Sequence, residues 1–224
     1  MSDLEHKLVA RHRSLNFVNK NELNRELPEQ LMALKHIKPT DVVLELGASI
    51  GRNTCIISSI LNDSSNLVTI EPNKHERVSL EANRKMNNFN FKIEPNVLSE
   101  FPLYSKGWHT FKTPVPQSIK VDNITWENLQ EKYNLNFNVL VIDNEGNFVD
   151  NLKTYPTLLD NITLLSIEHD FNSEEDINYF FNTLKEKGFI MADKFMKDQK
   201  YGPGISWKHG IKSDPIFVSV WKKH

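Results

Sequence analysis

The sequence predicts an α/β fold, a doubly wound three-layer sandwich around a mostly parallel sheet. Three observations carry that prediction. Seven short apolar runs recur along the 224 residues. Helical stretches separate most of them, so strands and helices alternate as in βαβ units. The runs are mainly continuous rather than alternating, which is the pattern of strands buried on both faces. Right-handed crossovers then wind the helices over both sides of the sheet.

The first 38 residues read as one or two helices, with Pro28 opening the second, because proline suits a first helical turn. Strand candidates follow at Asp41–Leu46, Asn66–Glu71, Phe91–Asn96, Asn138–Asp143, Ile162–His169, Gly188–Asp193 and Ile216–Trp221. Thr54–Leu61 and Lys74–Met86 are the helices between the first three. Phe148–Leu159 follows the fourth strand and is limited by Pro156, which cannot continue a helix interior. Ser173–Lys187 follows the fifth. Ser173 with Asp176 begins it like a capping box, and Gly188 ends it. Leu98–Lys120 carries Pro102, Gly107, Pro114 and Pro116 among Phe101, Tyr104, Trp108 and Phe111. It reads as irregular structure or a small hairpin beside the sheet. Phe195–Pro215 carries Gly202-Pro203-Gly204 and exceeds the roughly 15 residues that structureless connections usually reach. One domain is expected over 1–224, a helical segment 1–38 followed by the core 39–224, with no internal repeat.

Charge and cysteine usage narrow the function classes. Lys and Arg total 27 against 29 Asp and Glu, a formal net charge of −2. That balance demands neither nucleic acid nor an acidic partner. The single cysteine, Cys55, excludes an internal disulfide framework and fits a reducing, cytoplasmic compartment. One residue into a helix, it reads as a small core residue rather than a nucleophile. The first 20 residues lack the apolar centre of a signal peptide. No apolar run approaches the roughly 18 residues of a membrane span, so a soluble chain without a membrane partner is expected.

The chemistry concentrates after the first strand, in E-L-G-A-S-I-G, residues 45–51. In a doubly wound sheet, ligands sit at the carboxyl ends of the strands. Gly47 and Gly51 let the backbone turn sharply and approach a ligand, and the next helix aims free N–H groups at the same place. A dinucleotide fingerprint needs G-x-G-x-x-G around a pyrophosphate. Here one glycine fewer and the acid Glu45 favour a cationic ligand, one with an amino group and a sulfonium. That spacing argues against a nicotinamide oxidoreductase. Glu71, ending the second strand, can accept both ribose hydroxyls. Asn96, after the third, can meet an adenine edge. Together these describe a pocket for S-adenosylmethionine, built from Glu45, Gly47, Ala48, Ser49, Gly51, Asn53, Glu71, Pro72, Asn96, Val97 and Asp143.

The chain resembles class I S-adenosylmethionine-dependent methyltransferases, and among them the FkbM-type family. The matching pieces are LELGASIGRNT, VTIEPN, NVLSE, VLVIDNEGNFVDNL and LLSIEHD, in family order over about residues 41–194. The ordered set, above all I-D-x-E-G, is more specific than any single piece. The resemblance implies a Rossmann-like methyltransferase fold with seven strands, the last antiparallel. That agrees with a terminal hairpin made from Gly188–Asp193 and Ile216–Trp221. Departures stand at Ser49, where the family commonly has asparagine, and at Val141, where lysine is frequent. Asn147 or Phe148 stands where a second acid falls, and Ile124-Thr125-Trp126 replaces T-L-D.

Methyl transfer needs the acceptor held in line with the activated carbon, and a hydroxyl acceptor needs a base or a metal to take its proton. Asp143 and Glu145 close the fourth strand; Glu168, His169 and Asp170 close the fifth. Strands lie about 4.8 Å apart, so carboxylates of the two ends can share one divalent cation such as Mg2+, with Asp143 and Glu168 as its ligands. Asp143 and His169 are the expected acceptor-facing pair, with Glu145 as a second acid. The structural alternative for His169 is a hydrogen-bonded core residue, and for Glu145-Gly146 a turn into the next helix. Seven lysines against Asp198 and Asp214 over 194–224 suggest a positive lid for an anionic acceptor, or only a solvated surface. The leading expectation is an O-methyltransferase for a small-molecule or glycan hydroxyl. A nucleic-acid methyltransferase and a turnover-deficient S-adenosylmethionine-binding protein are the alternatives.

Overall fold

A computed structural model describes residues 2–197 and 214–223. The chain begins with α1 (Asp3–Ser14), α2 (Leu27–His36), β1 (Val43–Leu46), α3 (Arg52–Ile60), β2 (Leu67–Ile70), α4 (Lys74–Met86) and β3 (Lys92–Glu94). An excursion follows: β4 (Val97–Leu98), β5 (Leu103–Lys106), β6 (His109–Phe111), β7 (Ile119–Val121), β8 (Asn123–Ile124) and α5 (Trp126–Tyr133). The chain then returns through β9 (Val139–Ile142), α6 (Phe148–Thr154), β10 (Leu164–Glu168), α7 (Glu174–Glu186), β11 (Phe189–Met196) and β12 (Ile216–Lys223). Seven of these strands form one sheet in the order β11-β12-β10-β9-β1-β2-β3. β1 lies parallel to β2 and β9, β9 to β10, and β2 to β3. Only β12 runs against its neighbours, β10 and β11. This is the expected doubly wound sandwich with its last strand antiparallel.

Side-chain alternation sorts the strands onto two cores. Leu44, Leu140 and Leu165 share one face with Trp126, Leu129, Phe148, Phe180 and Leu184 of α5, α6 and α7. Val43, Val139 and Leu164 share the other with Leu31, Met32, Ile56 and Leu80 of α2, α3 and α4. Because both faces are covered, the strands read as continuous apolar runs. Cys55 is buried in the second core.

The element ends have local causes. Pro28 sits in the first turn of α2, after Glu26 at φ 56°. α6 stops at Thr154, earlier than expected, because Tyr155 precedes Pro156 and leaves the helical region. Ser173 caps α7 by accepting the Asp176 N–H at 3.0 Å. The Asp176 carboxylate accepts the Ser173 hydroxyl at 2.9 Å, in place of the backbone N–H that completes a capping box. The 98–120 region forms a three-stranded sheet in the order β6-β5-β7, with β4 and β8 paired separately. Helix α5 was not expected, although Thr125 caps it and Trp126 and Leu129 bury one face. Most of the predicted long connection, including Gly202-Pro203-Gly204 and three of its lysines, lies outside the described residues. Among those described, no helix is long and apolar enough to cross a membrane.

Candidate active site at the carboxyl edge of the sheet

A cavity of about 300 Å3 opens at the carboxyl ends of β1, β2, β9 and β10. The loop after β1 forms one wall. A Cβ on Gly47, at φ +90°, would lie 1.7 Å from the Asp143 carbonyl oxygen, so only glycine lets the β1 and β9 loops touch. The β9 and β10 loops meet in the same way. A Cβ on Gly146 would fall 2.5 Å from the Asp170 carbonyl, and Glu145 beside it holds φ 55°. The I-D-x-E-G signature therefore describes a backbone packed against its neighbour as well as acids near a ligand.

One half of the cavity suits a nucleoside. Glu71 is buried at the end of β2, where one carboxylate oxygen accepts the Ser49 N–H and the other the Asn73 N–H, both at 2.7 Å. Burial pushes its pKa up to about 7, against the pull of those two N–H groups. Ile70, Pro72, Val97 and Leu98 add apolar wall beside it. The other half is acidic: Asp143, Glu145, Glu168 and Asp170 line it. Burial holds Asp143 and Glu168 well above the ordinary carboxylate range, with neighbouring carboxylates adding to the effect. The β5–β6 hairpin supplies Ser105, Gly107, Trp108 and Thr110 as a cover. It is tied down where the Asn147 amide donates to the Thr110 hydroxyl at 2.8 Å.

The sequence-derived site is brought together in part. Gly47, Ser49, Glu71, Pro72, Val97, Asp143, Glu145 and Glu168 line the cavity. Glu45 does not. In register with Thr69, it points into the α3 side, and a single carboxylate oxygen accepts the Thr54 and Thr69 hydroxyls at 2.6 and 2.7 Å. Burial raises its pKa to about 7. Ala48 and Asn53 face a smaller void behind the loop, and Gly51 packs on Leu80. Asn96 is not among the lining residues; its backbone N–H donates to the Glu94 carboxylate at 3.0 Å.

His169 is the clearest correction. Glu168 is in phase with Asp143, since Ile167 pairs with Ile142. One residue further along, His169 falls on the opposite face. There it is 1 % exposed, with Nδ1 on Asp214 and Nε2 on Ser219, both at 2.7 Å. Phe171, Phe180 and Phe181 meet its ring edge-on. It is a core residue with both nitrogens engaged, not an acceptor-facing base.

The N-terminal segment contributes residues that the sequence reading missed. Arg25 and Glu26 of that segment line the cavity, together with Arg52 at the start of α3. Arg52 bonds Glu22 at 2.7 Å and Glu26 at 3.0 Å. Glu29 of α2 is buried beside Asp143 and Glu168 and is also held above its ordinary range by burial. The signal was the acid density of E-L-N-R-E-L-P-E, residues 22–29, which a reading as helix alone passes over.

No protein-family model matches the sequence, and no curated protein matches it. Solved structures do. An rRNA methylase from Streptococcus thermophilus superposes with TM-score 0.52 at 8% identity, covering 87% of this chain and 93% of that one. A proposed tRNA (m1A22) methyltransferase from Streptococcus pneumoniae, in complex with S-adenosyl-L-methionine, gives 0.52 at 10% identity, covering 87% and 71%. A proposed O-methyltransferase from Klebsiella pneumoniae gives 0.50 at 13% identity, covering 100% and 91%. At these identities the likeness is one of fold: the chain has the Rossmann-like methyltransferase fold shared by these class I S-adenosylmethionine-dependent methyltransferases.

Proposed function

We propose that this chain is an S-adenosylmethionine-dependent methyltransferase of the FkbM type, acting on a hydroxyl of a small molecule or sugar. The observation that carries the reading is one cavity that joins Glu71 at the end of β2 to Asp143 at the end of β9. The donor set fits the cofactor. Each Glu71 oxygen accepts one backbone N–H and keeps a second lone pair, as two ribose hydroxyls require. The apolar wall at Pro72, Val97 and Leu98 suits an adenine ring. Asp143, Glu168 and Asp170 favour the cationic end of the molecule over a neutral one.

When bound, the cofactor supplies a methyl group activated by a sulfonium charge. Glu71 and the Gly47–Ser49 backbone orient it. Asp143 takes the acceptor hydroxyl proton at a carboxylate oxygen. Trp108 and Thr110 of the hairpin reduce access of water to the reacting end.

A second reading, RNA methylation, draws on the RNA substrates named for two of the fold neighbours. The cavity weighs against it. Among the described lining residues, Glu26, Glu71, Glu76, Asp143, Glu145, Glu168 and Asp170 face only Arg25, Arg52 and Lys197. Such a mouth gains little from a polyanion, and it gives no support to an anionic small acceptor either. The test is to incubate the full chain with methyl-labelled S-adenosylmethionine and, separately, sugar or polyol acceptors and RNA. Label is expected in the hydroxyl acceptors and lost in Asp143→Asn, with the variant's melting temperature showing that it remains folded. Label in RNA, with strongly salt-dependent binding, supports the second reading instead. Cofactor binding without transfer to any acceptor leaves a turnover-deficient binding protein.

A further inference from the structure

The β5–β6 hairpin is tied to two sides of the cavity. After β2, the Asn73 amide donates to the Gly107 carbonyl at 3.3 Å. After β9, the Asn147 amide donates to the Thr110 hydroxyl at 2.8 Å. Between those ties stands Trp108, which lines the cavity while more than half exposed, so much of the indole surface is left to a ligand. The rest of what the hairpin and α6 bring to the lining is uncharged. Ser105 pairs with Thr110 across the hairpin, so their hydroxyls share one face, and both line the cavity. Thr110 accepts the Asn147 amide and keeps its own hydroxyl hydrogen to donate. Asn147 spends its amide hydrogens on Thr110 and the Asn144 carbonyl and keeps its side-chain oxygen as an acceptor. Asn151, one turn further along, carries the most weight. It lines the cavity, is only 5 % exposed, and its side chain makes no hydrogen bond among the described residues. Polar side chains this buried ordinarily have a partner, so its amide awaits one in the cavity. Asn144, next to Asp143 in the chain, also lines the cavity, so this uncharged wall adjoins the base.

Mixed donors and acceptors without charge match hydroxyl groups, each of which both donates and accepts. A pyranose carries hydroxyls around its rim, and its face of C–H hydrogens, slightly positive, complements the negative face of an aromatic ring. We propose that the hairpin and α6 form the acceptor subsite and that it takes an uncharged pyranose, with the C–H face on Trp108 and a rim hydroxyl on Asn151. The carboxylates elsewhere in the lining oppose a phosphorylated or uronic sugar. A linear polyol has no flat face for the indole and loses more freedom on binding. The inference rests on the methyltransferase reading, of which it names the acceptor and the residues that select it.

The test reads acceptor and cofactor binding separately, so the two claims fail apart. The full chain, with and without S-adenosylhomocysteine, is titrated with the methyl pyranosides of glucose, galactose, mannose and rhamnose. Glucitol and glucose 6-phosphate are the controls, and saturation-transfer NMR is the readout. At least one pyranoside is expected to bind more tightly than either control. Loss of one net hydrogen bond is worth about fivefold, so Asn151→Ala should weaken that pyranoside by at least about fivefold, and Trp108→Ala by a similar factor. Should Asn151→Ala not fold, Trp108→Ala, at an exposed position, carries the same expectation. No pyranoside bound, tighter binding of glucitol or glucose 6-phosphate, or an affinity unchanged in a folded variant overturns the proposal. A chain that binds a pyranoside but no S-adenosylhomocysteine keeps the sugar site and loses the methyltransferase reading.

Discussion

Glu45 and Glu71 are acids of similar pKa with different tasks. Burial raises each from an ordinary 4.5 to about 7. Between those values the folded chain holds more protons than the unfolded one, so stability falls as pH rises through about 4.5 to 7 and levels off above. Each group costs on the order of 3 kcal/mol at the upper end. Glu45→Gln keeps an oxygen for Thr54 and Thr69 and removes its share of that slope. Urea unfolding at pH 5 and pH 8 should then show a smaller loss of stability with pH than the wild type. Glu71 was legible as a site residue because it ends a strand whose carboxyl edge must face the ligand. Glu45 was not, since its face depends on register: the Thr69 beside it is what makes an interior carboxyl tolerable. His169 taught the same lesson one position beyond Glu168. His169→Phe leaves one Asp214 oxygen without a donor in the core and removes one of the two bonds to the Ser219 hydroxyl, a loss on the order of 3 kcal/mol. It should lower the melting temperature and leave S-adenosylhomocysteine affinity unchanged; an affinity loss in a folded variant would return the ring to the site.

Among the elements, the β5–β6 hairpin decides how much of the cavity is covered. The surrounding 98–120 stretch, with Pro102, Pro114 and Pro116 flanking the hairpin's aromatic residues, told of a break in the alternation of strands and helices. It did not tell which aromatic faces the ligand, because that rests on the Asn147–Thr110 bond between segments far apart in sequence. Trp108 lines the cavity while 59 % exposed, so a ligand there changes its surroundings. Titration with S-adenosylhomocysteine should alter the tryptophan fluorescence, and Trp108→Phe should remove most of that change with the melting temperature unmoved. A full signal in the variant would place the hairpin away from the bound ligand. Helix α2 belongs to the same scale: Pro28 announced its start, but only the fold brings Glu29 beside Asp143.

For the molecule as a whole, the class of the sheet, mostly parallel and covered by helices on both faces, was the most legible feature. Continuous apolar runs require both faces of the sheet to be covered, and the right-handed crossover rule leaves few ways to do it. The terminal hairpin inserts β12 between β10 and β11, while the parallel pairing of β10, β9, β1 and β2 sets their carboxyl ends side by side around one cavity. The central claim is that this edge holds S-adenosylmethionine through Glu71. Calorimetric titration of the full chain with S-adenosylmethionine, S-adenosylhomocysteine and NAD tests it most directly, with Glu71→Gln alongside. The account predicts micromolar binding of the first two and none of NAD. It also predicts a loss of about 1.5–3 kcal/mol in the variant, the value of hydrogen bonds to a charged group. Binding of NAD, or of neither sulfur compound, would contradict it.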